Sequence, residues 1–124
     1  MSPINLLPHI CSDVRYPETL LPAFEEADVV VSLVGIMYGS PKMFEDIQWK
    51  GAENVAKAAK RAGAKVIHLS AIGANRESKI PYERTKALGE EAIRAVCQDA
   101  TIIRPSLIFG PGDGFFAVCL FTVS

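Results

Sequence analysis

Three short runs rich in β-branched residues, centred near Val31, Ile67 and Ile102, recur about 35 residues apart, and this spacing restricts the fold more than any other feature. Between successive runs lie longer stretches whose apolar residues recur at helical steps. A strand, a crossing helix and a second parallel strand need at least about 30 residues, so the spacing fits successive βα units. Right-handed crossovers would then lay the strands side by side in a parallel, doubly wound α/β sheet. The clearest strand is the apolar run from Asp28 to Val34, uninterrupted as where helices cover both faces of a sheet, and ended by Gly35. Lys65–Leu69 and Thr101–Arg104 are the next two, the last closed by Pro105. An earlier strand is expected at Ile4–Cys11, ending at Ser12-Asp13.

The helices follow from periodicity and punctuation. Pro17 and Glu18 suit the first turn of a helix running toward Ala27, and Pro22 inside it requires a kink or a late start. Phe44 to Ala62 reads as one helix with Ile47, Gly51, Val55, Ala58 and Ala62 on a stripe, and Gly63 suits its left-handed cap. A polar loop from Ser70 to Lys79 leads into a helix over Tyr82–Val96. The apolar tail Phe115–Ser124 has no partner pattern and is left unplaced; residues 1–124 otherwise form one partial domain.

Composition removes several function classes. At 124 residues, 49% hydrophobic and 22% charged, the chain is a folding sequence of one domain at most. A net charge of −1 with scattered Lys and Arg gives no basic stripe for nucleic acid. Cys11, Cys97 and Cys119 are far apart, which argues against a zinc site or disulfide framework and for small buried apolar residues in a reducing compartment. His9 and His68 are isolated, and His68 inside a strand run suits the core or an edge better than a metal. No apolar run reaches the roughly 20 residues of a membrane span. Met1 to Asn5 resembles neither a secretory signal nor an Arg-rich transit sequence.

The chemistry gathers at Tyr82-Glu83-Arg84-Thr85-Lys86, where a phenol and an ammonium share one helix face. Such a phenol can act as general acid to a carbonyl or base to an alcohol, and a neighbouring cation favours its phenolate. Ser70 stands at a strand's C-terminal end, where open α/β sheets bind ligands, and Arg104-Pro105-Ser106 leaves the next strand at the same edge.

Val30 to Gly35, Gly51-Ala52-Glu53-Asn54-Val55-Ala56, His68 to Ala74, the Tyr-x-x-x-Lys and Arg104-Pro105-Ser106-x-x-Phe109-Gly110-Pro111-Gly112-Asp113 together resemble the extended and atypical short-chain dehydrogenases/reductases, which include NAD-dependent epimerases and dehydratases. Within them the sequence is similar to the nucleotide-binding accessory subunits of mitochondrial complex I (alpha subcomplex subunit nine) and their bacterial relatives, over about Asp13 to Phe116.

The resemblance implies an NADP or NAD site with Asp13 and Val14 at the adenine, and Leu33, Val34 and Gly35 under its ribose. It makes Tyr82 the acid/base and puts Lys86 on the nicotinamide ribose, with Pro105 and Ser106 flanking the nicotinamide and Ser70 polarising a substrate carbonyl. By strand register that last role falls equally on position 71, where Ala71 would leave the catalytic set broken but cofactor binding possible. Bland readings stand beside these: Asp13 as a turn or cap, Tyr82 as a half-buried residue with Lys86 solvated beside it, and Gly110-Pro111-Gly112 as a turn.

The resemblance also implies a non-catalytic accessory role beside respiratory complex I subunits at the matrix side of the inner mitochondrial membrane, or a cytoplasmic place for a bacterial-type relative. The alternative is an NAD(P)-dependent oxidoreductase or epimerase using Tyr82 and Lys86; a plain interaction fragment of the same fold is the third reading.

One part is missing. Gly35 is the first glycine, so residues 1–34 lack the Gly-rich turn that brings backbone N–H groups against a diphosphate. The expected architecture is therefore an incomplete Rossmann-type sheet with strands three to six of the 3-2-1-4-5-6 order, a truncated chain whose strand four has an open edge. Dinucleotide binding would then depend on the missing half, and the residue that distinguishes NAD from NADP would lie with it.

Overall fold

A computed structural model describes residues 10–106. A 3-10 turn at Pro17–Thr19 leads into the short helix α1, Leu21–Phe24, and strand β1 follows at Val29–Ser32. Helix α2, Pro41–Phe44, runs through a π turn at Glu45–Trp49 into α3, Lys50–Ala62. Strand β2, Lys65–Leu69, helix α4, Pro81–Val96, and strand β3, Thr101–Ile103, complete the described elements. The strands are all parallel in the order β1-β2-β3, with Val31 opposite Ile67 and Ile67 opposite Thr101.

Each crossover carries one long helix, and steps in one direction with like-handed crossovers place both helices on the same face of the sheet. That explains the burial alternation of β1, where Val30 and Ser32 are buried while Val29 and Val31 are exposed. The uninterrupted apolar run had suggested cover on both faces; among the described residues only one face is covered. The core on that face joins Val30 and Val66 to an alanine-rich side of α3 (Ala52, Ala56, Ala59) and to Ile93 and Cys97. Small side chains let α3 and α4 approach closely.

Several local expectations hold. Pro22 occupies the first turn of α1, so the helix starts late rather than kinking. Gly63 caps α3 at φ 75°, and its N–H bonds back to the carbonyls of Ala59 and Lys60. Cys97 is buried, though Cys11 is exposed.

Two expectations are corrected. The helix expected to begin at Phe44 begins at Pro41, because Ser40 Oγ accepts the Met43 N–H and Pro41 suits a first turn. It is also interrupted by the π turn, whose extra residue rotates everything before Lys50 relative to the stripe. The expected strand Ile4–Cys11 lies outside the described residues except for Ile10 and Cys11, which carry no strand. Phe109 to Asp113, Cys119 and the tail 115–124 also lie outside them. Among the described residues, β1 is an edge strand.

Candidate functional site

Helix α4 returns antiparallel to the strands, so its first turns lie beyond their C-terminal ends. Lys86 shows this directly: its ammonium donates to the Val34 carbonyl at 3.2 Å and the Leu69 carbonyl at 3.3 Å. It therefore bridges the exits of β1 and β2. The residue is only 5% exposed, which excludes the solvated reading. Burial pulls its pKa down, and the carboxylate of Glu90 opposes that shift. An ammonium has three donors, so two carbonyls leave one for a further acceptor.

Gly35 fits against this cation. A Cβ there would stand 3.0 Å from Lys86 Nζ and 3.4 Å from Gln48 Oε1, so any side chain would press on the ammonium. Leu33 is 68% exposed on the uncovered face, and Val34 contributes its carbonyl. Tyr82 lies one turn before Lys86, half-buried, with its ring edge-on to Phe44 at 6.4 Å between centroids.

Ser70 follows β2 on the covered side. Its hydroxyl is buried without a hydrogen-bond partner among the described residues, while its N–H donates to Ile103 at 2.7 Å. The following residue, Ala71, has no hydroxyl to offer. Pro105 is tied to the same edge, its carbonyl accepting the Ile72 N–H at 3.1 Å, and Ser106 is exposed next to it. Lys86, Tyr82, Ser70, Val34, Gly35, Pro105 and Ser106 thus gather at one end of the sheet.

Asp13 and Val14 stand apart from that group. Asp13 is gripped by its own turn: Arg15 hydrogen-bonds the carboxylate through its side chain and backbone, holding the pKa down at about 2. This supports the turn role and leaves the adenine role without a contact of its own. Val14 packs over Gly51, and its carbonyl accepts from Asn54 Nδ2 at 2.8 Å.

Sequence reasoning missed Gln48. It is 2% exposed on the π turn, accepts the Ile36 N–H at 3.2 Å and donates to Thr85 Oγ1 at 2.9 Å and the Tyr82 carbonyl at 3.3 Å. It ties the loop after β1 to the first turn of α4. The only sequence hint was an uncharged amide among Glu45, Asp46 and Lys50; the expected helix stripe gave it no buried role. Glu90 and Arg104 were missed as a pair: Arg104 Nε and Nη2 bind the Glu90 carboxylate at 2.7 and 2.6 Å. His68 is 2% exposed, and its Nδ1 lies 3.0 Å from Ser32 Oγ. Burial, then the charge of Lys86, lowers its pKa to about 4. Among the described residues no cluster of metal ligands forms, and no helix is long and apolar enough to cross a membrane.

The NAD(P)H-binding family matches residues 7–113, most of the chain. The chain belongs to that family. Its sequence relatives include the mitochondrial 40 kDa subunit of NADH-ubiquinone oxidoreductase from Neurospora crassa, 35% identical over 103 residues, 82% of this chain and 28% of that subunit. The mitochondrial NADH dehydrogenase 1 alpha subcomplex subunit 9 of Rattus norvegicus is 36% identical over 105 residues, 83% of this chain and 28% of the relative. A ceramide reductase from Caulobacter vibrioides is 33% identical over 105 residues, 84% and 33% of the two chains. The chain thus spans about a third or less of the length of these relatives.

In structure it resembles dTDP-4-dehydrorhamnose reductase from Bacillus anthracis in complex with NADP, with a TM-score of 0.79 at 17% identity over 90% of this chain and 47% of that one. At that identity the likeness establishes the fold, a partial Rossmann α/β sheet, as expected from the strand spacing. The triphenylmethane reductase of Citrobacter complexed with NADP(H) aligns at 28% identity with a TM-score of 0.60, over 77% and 32% of the two chains.

Proposed function

We propose that this NAD(P)H-binding chain supplies the nicotinamide-ribose pocket and adenosine-facing residues of a dinucleotide site, without the glycine-rich diphosphate cradle, in a non-catalytic accessory role. Lys86 carries the reading: a buried ammonium held between two strand exits by backbone carbonyls, with one donor left and Tyr82 a turn above it. A bound nicotinamide cofactor would supply hydride chemistry; this chain's residues would hold it, Lys86 on the ribose hydroxyls, with Pro105 and Ser106 flanking the ring. Asp13, Val14, Leu33, Val34 and Gly35 would meet the adenosine half. Ala71, without a hydroxyl, supports binding rather than turnover. The sequence relatives support a place beside respiratory complex I subunits at the inner mitochondrial membrane.

No glycine precedes Gly35, so a diphosphate finds no close backbone approach in the first 34 residues. Reduced nicotinamide mononucleotide at millimolar concentration is therefore expected to shift the resonances of Tyr82 and Lys86, whereas micromolar NADPH leaves the melting temperature unchanged. A rise in melting temperature with micromolar NADPH, or no shift with the mononucleotide, would refute the proposal.

A second reading is favoured by the Caulobacter ceramide reductase among the relatives: an NAD(P)-dependent reductase or epimerase using Tyr82, Lys86 and Ser70. Tyr82→Phe separates the two. In the accessory role the mononucleotide affinity changes by less than about twofold, since the ring and its packing on Phe44 remain. Cofactor-dependent turnover in the parent that the substitution abolishes would favour the enzyme instead.

A further inference from the structure

Glu90 lies one turn after Lys86 on the inner face of α4 and is 1% exposed. A carboxylate buried to that degree is costly unless cations compensate it. Two do. Arg104 grips both its oxygens with a planar fork at 2.6 and 2.7 Å, and Lys86, also buried, stands four residues before it. The pair is lopsided, because the Arg104 side chain is 46% exposed while that of Glu90 is 2% exposed. A guanidinium so near water needs no carboxylate in the interior; what the geometry achieves is to bind the exit of β3 to α4.

The same exit is fastened to β2 by backbone bonds, from Ser70 N–H to Ile103 and from Ile72 N–H to Pro105. We propose that Glu90 is a positioning residue that keeps the two walls of the nicotinamide site in register, anchoring the β3 exit through Arg104 while providing the counter-charge for Lys86. The inference rests on the nicotinamide reading above for its purpose. The ionisable groups that act with Lys86 are His68 from β2 and Glu90 from α4, with Arg104 beyond Glu90. Glu90 is the one carboxylate among them.

The test uses the full chain with two readouts, amide exchange at Ser70 and Ile72 and the titration midpoint of Lys86 followed on its 13Cε resonance in uniformly labelled protein. Glu90→Gln is expected to speed exchange at both amides by at least about tenfold and to move the Lys86 midpoint to lower pH. Arg104→Met, which leaves the charge on Glu90, is expected to speed exchange without lowering that midpoint. Glu90→Asp keeps the charge but shortens the fork, so it should restore the midpoint and not the protection.

A simple stability brace would give Glu90→Gln and Arg104→Met the same signature, and that result overturns the proposal. So does a midpoint that Glu90→Gln leaves unmoved or Glu90→Asp fails to restore. Mononucleotide binding by the unsubstituted chain judges the nicotinamide reading separately, so the two can fail independently.

Discussion

Gly89→Ala is expected to destabilise the chain by about 2–3 kcal/mol, although the same change on an open helix surface would stabilise it by about 1 kcal/mol. Gly89 lies inside α4, buried against the π turn, and an added Cβ would overlap the carbonyl oxygen of Gln48 and touch Ala52 Cβ at 3.3 Å. The obstacle is backbone that α3 holds in place, so the helices must separate, and the tight alanine packing between them is lost with the contact.

Gly51 is a useful contrast. A Cβ there meets Val14 Cγ2 at 2.6 Å, a side chain rather than backbone, and the loss should be smaller. Urea unfolding followed by the single Trp49, at the end of the π turn, measures both. Equal or greater stability for the Gly89 variant would show that the π turn yields freely, and with it the hold of Gln48 on Tyr82.

What was legible in the sequence is what local pattern controls. The spacing of Val31, Ile67 and Ile102 gave the parallel sheet, and Gly63 and Pro22 gave helix ends, because backbone conformation at those residues is set by their own chemistry. The Tyr82–Lys86 spacing put a phenol and an ammonium one turn apart on α4 by helix geometry alone.

What escaped depended on contacts distant in the chain. Gln48 turns inward only because a π turn adds a residue, and no helical stripe anticipates that. Glu90 and Arg104, 14 residues apart, share no local pattern and meet only where α4 and the exit of β3 come together. The bland reading of a solvated Lys86 fails because the cation's partners are carbonyls of Val34 and Leu69, and backbone acceptors are invisible to side-chain pattern. The apolar run of β1 suggested cover on both faces, and its second face finds none among the described residues.

His68 makes the second large prediction, a loss of stability in mildly acid solution. Its imidazole is 2% exposed, packed on the covered face with Nδ1 against Ser32, and its Nε2 has no partner among the described residues. Burial and then the neighbouring Lys86 charge lower its pKa from 6.5 to about 4 in the folded chain, with Glu90 acting weakly the other way. The unfolded chain therefore takes up the proton first as pH falls. The contribution is fully present above pH 6.5 and is lost progressively between 6.5 and about 4. That interval corresponds to roughly 3 kcal/mol at 1.36 kcal/mol per unit.

Asp13, held at about 2 by Arg15, acts below this window. His68→Gln keeps a polar partner for Ser32 and removes the titration, so its urea midpoint should change with pH less steeply than the parent's from pH 6.5 to 4. His9 is common to both chains and cancels in the difference. Parallel pH profiles for the two would mean that the imidazole titrates as freely in the fold as in the unfolded chain. The buried interior in which His68 lies with Lys86 and Glu90 would then be open to water.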